Sequence, residues 1–507
     1  MLHQVAIRSA LAALHQTLEL TREDGRRVCV PGMSLRDFGD RAFLDSHGLE
    51  YPYMAGAMAH GIASVTLVAA LARAGMLASY GAAGLPLARV ANDLDRLQDL
   101  CAGRSFAVNF IHSPQDLRLE DELCDLLISK GIVRIEASAF MKLTKALVRY
   151  RVTGLTRASD GSIIAPHHVI GKVSRVEVGR QFWSPPPRAL LDELLREGRI
   201  SAGEHELAAF IPMATDVTVE ADSGGHTDNR PLVTLLPQMQ ALKDELQARF
   251  DYARPLRVGA AGGIATPHAA LAAFSMGAAY IVTGTINQGC IEAGTSEAVR
   301  QMLATTEQGD ITMAPAADMF EMGIKVQVLK RGTMFAMRAQ KLYEFYRSYP
   351  SLDAMSAKDK SFLEEHLLRQ SIDQAWQSTA EFFAQRDPEE IVRAEKQPKH
   401  KMALLFRSYL GQASHWATRG VADRVIDYQI WCGPSMPAFN DWVKGSCLED
   451  IEDRSAPVVA LNLLFSAAVL QRIQIAAIQG LAIADREGLL KPRSQSEILV
   501  ATEGERR

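Results

Sequence analysis

Four short strings in this chain hold the residues best suited to chemistry. VGAAGGIATP carries Gly262 and Gly263 just ahead of a helix start, and IVTGTINQG carries Thr283, Gly284 and Thr285. Glycines let backbone N–H groups approach an anion, and a helix N-terminus adds a favourable field, so these turns are expected to cradle phosphate. Gly259, Gly262 and Gly263 do not match G-x-G-x-x-G, and they come far too late in the chain for a dinucleotide fold. EADSGGHTDNRP, Glu220 to Pro231, sets His226 on a Gly224-Gly225 turn. An imidazole there can donate a proton or hydrogen-bond a carbonyl. The alternative is a loop histidine bonded to Asp222 or Asp228. VIGKVSR puts Lys172 inside an apolar run, where an unpaired cation is costly. It either stabilises negative charge on a bound group or bridges to an inner carboxylate such as Glu136 or Glu220.

Weaker signals surround these. AGAMAHGIAS, Ala55 to Ser64, has residues small enough for a flat ring to lie against backbone, and VNFIHS carries the amide of Asn109. His60, His112 and the His167-His168 pair read as surface or loop histidines. Cys290 has no base beside it.

The elements that must position these residues are regular. Eight apolar runs fall between Tyr51 and Thr285: Tyr51–Ala55, Met76–Tyr80, Ser105–Ile111, Val133–Ala137, Val169–Val173, Asp216–Glu220, Leu256–Ala260 and Ala279–Thr283. Short continuous apolar runs alternating with helical patterns indicate parallel strands buried on both faces. Eight such units in about 235 residues predict an α/β fold of the (β/α)8 TIM-barrel type. In that fold the strand ends carry the site, and phosphate binds at the loops after strands seven and eight. Ser64 is expected to cap one helix that Gly75 closes, and Thr266-Pro267 to open another that ends at Gly277. Barrel insertions are expected near 149–166, as a hairpin turning at Asp160-Gly161, and at 184–212, with a capping box from Ser201 to Glu204. The expected organisation is an N-terminal segment 1–50, a barrel 51–309 and a mainly helical C-terminal region 310–507.

Composition narrows the function. Net charge is −4 with both signs mixed along 507 residues, unlike the basic stripe of a nucleic-acid binder. Six cysteines without C-x-x-C pairing fit a reducing cytoplasm and no metal site. The N-terminus lacks the clean apolar core of a signal peptide. Ala456 to Ala484 is the longest apolar stretch, but Asn462, Gln471, Arg472, Gln474 and Gln479 interrupt it, so it reads as a buried helix and not a membrane span.

Taken together, AGAMAHGIAS, VNFIHS, VIGKVSR, SGGHTDNRP, AAGGI and VTGT resemble the nitronate monooxygenase and FMN-dependent enoyl-(acyl carrier protein) reductase superfamily. KVSRVEVGRQFWSPPP, EADSGGHTDNRP, ADMFEMGIKVQVLKRGTMFAMRA and CGPSMPAFNDW resemble, more narrowly, the trans-acting enoyl reductases of polyketide and polyunsaturated-fatty-acid synthases. The resemblance implies FMN at the barrel top, reduction by NADPH, and hydride transfer to an α,β-unsaturated thioester tethered to an acyl carrier protein. By position, FMN would meet Ala55, Gly56, Ala57, Asn109, Lys172, Gly225, Gly262, Gly263, Gly284 and Thr285, with His226 catalytic. The carrier is expected on a basic surface formed by Lys325, Lys330, Arg331, Arg338 and the run from Lys396 to Lys401. A nitronate monooxygenase-type oxygenase is the alternative enzyme. A carrier-binding scaffold without activity would have no need of the glycine loops.

Overall fold

The computed structural model describes residues 2–113, 117–225 and 227–502. Eight parallel strands close into a barrel: β1 (Tyr53–Ala55), β2 (Leu77–Tyr80), β3 (Ala107–Ile111), β4 (Arg134–Ser138), β5 (His168–Val173), β6 (Asp216–Glu220), β7 (Arg257–Ala261) and β8 (Tyr280–Thr283). Each lies within two residues of its apolar run. β8 pairs back to β1 through Ile281–Tyr53, Val282–Met54 and Thr283–Ala55, which leaves no open edge.

Seven helices alternate with the strands: α1 (Val65–Arg73), α2 (Leu87–Cys101), α3 (Leu117–Ser129), α4 (Lys145–Val152), α5 (Val176–Trp183), α6 (Leu232–Phe250) and α7 (Pro267–Ser275). The cap chemistry is as expected. Ser64 accepts from Leu67 N–H at 3.0 Å, and Thr266 accepts from Ala269 N–H with Pro267 in the first turn. Gly75 and Gly277 take φ of +77° and +90° just past their helices. The first insertion is smaller than expected: α4 uses residues up to Val152, and only Thr156–Arg157 and Ile163–Ile164 pair. The second holds helices Arg188–Arg196 and Ala202–Leu207, the latter with the Ser201–Glu204 capping box.

The eighth helix comes from far along the chain. α8 (Ala456–Ile478) packs on both α7 and α1, the place where the barrel wall would otherwise be open. It is the one described helix apolar and long enough to cross a membrane, and most of its surface is buried here. Several of its polar residues bond inside the protein. Asn462 exchanges bonds of 2.7 and 2.8 Å with the backbone of Arg493, and Arg472 donates to the carbonyls of Ala13 and Gln16, each at 2.6 Å. Gln479 pairs both amide atoms with the backbone of Cys29. Glu292 accepts from Ser455 Oγ at 2.7 Å and Ala456 N–H at 2.9 Å, fixing the helix start.

Compactness therefore divides the chain differently from a cut at residue 310. One unit comprises residues 1–222, 227–294 and 438–507, and the other residues 223–226 and 295–437. A barrel missing one outer helix exposes apolar strand surface, and α8 covers it. The second unit has its own core. Antiparallel strands β9 (Ile311–Pro315) and β10 (Lys325–Leu329) pack with helices Phe335–Ser348, Ile372–Arg386, Pro388–Lys396 and Pro398–Arg419. Phe320, Val326, Phe335, Leu342, Leu405 and Phe406 form its centre.

The N-terminal segment has more structure than its sequence suggests. Helix Arg41–His47 lies at the N-terminal end of the barrel, where Phe43 stacks on Tyr280 with ring centroids 4.0 Å apart. Beneath it Arg257 grips Asp216 in a two-pronged ion pair at 2.6 and 3.0 Å, and His47 Nε2 lies 3.0 Å from the same carboxylate. Burial opposes the charge on Asp216, but Arg257 and His47 outweigh it and hold the carboxyl below its usual range. Polar clusters at this end of a barrel serve stability.

Candidate active site

The opposite end carries nine of the predicted residues, Ala55, Gly56, Ala57, Asn109, Lys172, Gly262, Gly263, Gly284 and Thr285, on or just after five strands. On β4, Glu136 is fully buried. On β5, Lys172 Nζ lies 3.3 Å from Glu220 Oε1 of β6 and 3.9 Å from Glu136 Oε1. Burial works against the ammonium, yet Glu220 and then Glu136 outweigh it and raise the lysine well above its ordinary value. Lys172 is thus committed to both inner carboxylates. Glu136 Oε2 also accepts the Ala57 N–H at 2.8 Å, so one side chain ties the β1 turn to Lys172. Its Oε1 is buried without a hydrogen-bond partner among the described residues. Asn109 on β3 is 4% exposed and donates to Ser138 Oγ at 3.1 Å and to the Glu136 carbonyl.

The glycines divide by physical need. Gly56 donates to the Thr283 carbonyl at 3.0 Å beside buried Ala55. Gly262 takes φ of +90°, and a Cβ there would sit 2.6 Å from the Ala221 carbonyl oxygen. Only glycine allows that approach. Gly263 follows at φ +74°, and a Cβ on it or on Gly284 would meet nothing within 4 Å. Backbone at the ends of β7 and β8 therefore faces open space. Thr285 opens the short turn Thr285–Gln288. Below it, the Tyr53 hydroxyl shares a 2.5 Å hydrogen bond with Thr283 Oγ1 and donates to Asn287 Oδ1 at 3.0 Å. Asn287 in turn donates to Thr283 Oγ1 at 2.8 Å, so a buried triad braces the β8 turn.

His226 lies outside the described residues. The loop that carries it is anchored on both sides. Asp222 N–H donates to the Arg230 carbonyl at 2.9 Å. Arg175 makes two 2.8 Å bonds to Asp228, which also accepts from Ser174 Oγ at 2.6 Å. Arg175 holds the Asp228 carboxyl below its usual range. Gly225, expected at the cofactor, groups by its contacts with the second unit, where it bridges Gln327 of β10.

The expected basic docking surface is partly consumed. Arg338 is bound to buried Asp427, together with Arg424 and Arg369. Arg331 pairs with Asp310 at 3.2 Å, and Lys399 donates to the carbonyls of Tyr346 and Tyr349. Lys325, Lys330 and Lys396 are exposed. Sequence reasoning had treated Glu136 only as a partner for Lys172. An acid inside the run Val133–Ala137 raises the same burial question as Lys172 and could have flagged it. The Tyr53–Thr283–Asn287 brace carried no sequence signal.

Fold and site together define a (β/α)8-barrel protein whose candidate residues sit on the strand ends, with a second unit inserted in sequence between β8 and the eighth helix. The crystal structure of the enoyl reductase domain of MlnA, from the macrolactin biosynthesis cluster of Bacillus amyloliquefaciens, superposes with a TM-score of 0.83 at 36% identity, covering 87% of this chain and all of that one. The chain is 47% identical over 456 residues to one of the polyunsaturated fatty acid synthase proteins of Thraustochytrium, covering 89% of this chain and 30% of that protein. It is 43% identical over 440 residues to the polyketide biosynthesis protein PksE of Bacillus subtilis, covering 87% and 57%. The family model described as [acyl-carrier-protein] S-malonyltransferase, inserted helical domain, matches residues 349–428. The chain belongs to the enoyl reductase family of polyketide and polyunsaturated-fatty-acid synthases. It spans less than two thirds of the length of these curated relatives.

Proposed function

We propose that this protein is a trans-acting, FMN- and NADPH-dependent enoyl reductase acting on α,β-unsaturated thioesters carried by acyl carrier protein. The observation that carries the proposal is the similarity to the MlnA enoyl reductase domain over its whole length. The donor set at the barrel mouth is compatible with FMN. Gly263 and Gly284 leave backbone open where the phosphate cradle is expected, and Ala55, Gly56 and Ala57 present little side chain to a flat ring. When bound, FMN supplies the hydride carrier between NADPH and the β-carbon of the enoyl thioester.

The chain's own residues then have separate tasks. Gly262, Gly263, Gly284 and Thr285 bind the phosphate through backbone. Glu136 holds the β1 turn through Ala57 N–H and keeps Lys172 in place. Asn109, locked by Ser138, presents a fixed amide. His226 donates to the thioester oxygen or delivers the proton to Cα, where charge develops after hydride addition. The helical segment similar to the insert of a carrier-dependent transferase supports docking of the acyl carrier protein on the second unit, beside Lys325 and Lys330. Free cysteines throughout fit a cytoplasmic setting.

Incubation of an enoyl-carrier protein with enzyme and NADPH, followed by mass spectrometry of the acyl chain, tests the reading. A gain of two hydrogens is expected. Oxygen consumption with alkyl nitronates and no reduction of the thioester would replace it with the oxygenase reading.

A further inference from the structure

Tyr53 opens β1 and is fully buried. It pairs in register with Ile281, but its hydroxyl reaches Thr283, the last residue of β8. With Asn287 these side chains close a ring in which one arrangement of protons satisfies every group. Asn287 Nδ2 donates to the Thr283 carbonyl at 3.2 Å and to Thr283 Oγ1 at 2.8 Å. Its Oδ1 therefore faces Tyr53 and takes the phenol proton at 3.0 Å. The Thr283 hydroxyl is left to donate to the Tyr53 oxygen at 2.5 Å. Burial pushes the phenol well above its ordinary range, so the proton that closes the ring stays in place.

The ring brackets the turn after β8. Thr283 immediately precedes Gly284, and Asn287 closes the turn from the far side, its N–H donating to the Gly284 carbonyl at 2.9 Å. The Thr283 carbonyl also accepts Gly56 N–H at 3.0 Å, which ties the same residue to the β1 turn. The N–H groups of Gly284 and Thr285 have no acceptor among the described residues, and a Cβ on Gly284 would meet nothing within 4 Å. Adjacent donors left unused at an open turn suit an anion. What the Tyr53 hydroxyl adds over a bare ring is a fixed geometry for the two residues that flank those donors. We propose that Tyr53 is a positioning residue. Through Thr283 and Asn287 it sets the Gly284–Thr285 backbone for a phosphomonoester, and so gives the barrel a preference for FMN over riboflavin. The inference rests on the reading that this turn cradles the flavin phosphate.

The test uses full-length Tyr53→Phe, which removes one oxygen, and Thr283→Val, which breaks the ring from the other side and stands if the first fails to fold. Thr283→Ser keeps the hydroxyl and serves as the conservative variant. Each protein is equilibrated with equal amounts of FMN and riboflavin, and the retained flavins are separated by chromatography. Wild type and Thr283→Ser are expected to retain FMN almost alone. Tyr53→Phe and Thr283→Val should lose about 10- to 100-fold of that preference, the order of one misaligned charge-assisted hydrogen bond, with riboflavin binding itself little changed. A purely structural triad would lower the melting temperature and leave the ratio of the two flavins alone. Folded variants with the wild-type ratio therefore overturn the positioning role, whatever their stability. A wild-type protein that takes both flavins equally overturns the cradle reading itself, and that result is read without any variant.

Discussion

Lys172 shows why the type of a residue does not settle its job. An ammonium in an apolar strand must be paired, and here two carboxylates share it. Removing it leaves Glu136 and Glu220 uncompensated. Lys172→Met is expected to destabilise the protein by about 3–5 kcal/mol, as for breaking a buried pair, and to lower flavin content. Adding Glu136→Gln should recover much of the stability, since the amide keeps an acceptor for Ala57 N–H and removes one charge. Thermal melts with and without added FMN check this, and an unaltered melting temperature in Lys172→Met would show that the pair contributes nothing. Gly262→Ala is expected to abolish flavin retention, because φ of +90° and the Ala221 carbonyl at 2.6 Å both exclude a methyl group. His226→Ala should leave flavin content and the NADPH half-reaction intact and slow reoxidation by about 10²–10⁴-fold if it is a full general acid.

At the scale of elements, the barrel is fastened at its N-terminal end by a buried cluster that resists protonation. Burial lowers both imidazoles there. For His47 the neighbouring Asp216 only partly offsets burial, and His168 is pushed down to about 2 by burial, then His47 and nearby arginines. His168 is neutral when folded and binds a proton when unfolded below about 6.5. Its contribution is thus fully present above pH 6.5 and is lost as pH falls, by up to about 1.4 kcal/mol per unit. Urea midpoints at pH 7.5, 6 and 5 should decline accordingly, and His168→Gln should flatten the slope. A midpoint independent of pH would contradict the buried neutral state. Glu292 is the other fastening, since it caps α8 with two charge-assisted bonds. Glu292→Ala should cost about 1–2 kcal/mol, read by denaturant titration.

At the scale of the whole molecule, the proposed function assigns flavin binding to the barrel and carrier docking to the inserted unit. The barrel mouth offers one open glycine cradle at the β7 and β8 ends, so the flavin released by heat should chromatograph as FMN. Recovery of FAD would remove the assignment of Gly263 and Gly284. The proposed docking of a carrier on the second unit, through exposed Lys325 and Lys330, should make reduction of carrier-bound substrate sensitive to salt, mainly through the on-rate. Salt-insensitive turnover would move the docking surface elsewhere.

The sequence by itself determined the barrel and the rank of its strand ends. Alternating apolar runs, caps at Ser64 and Thr266, and glycines after runs seven and eight are local signals whose periodicity or turn chemistry needs no partner to be read. It also marked Lys172 as a residue requiring a partner. The choice of that partner was not legible, because whether a lysine meets carboxylates or a ligand depends on what neighbouring strands present at the same height. Nor could the strings show that Ala456–Ile478 completes a barrel begun four hundred residues earlier. Helix amphipathicity reports burial, and this helix, buried nearly all round, carries no directional signal.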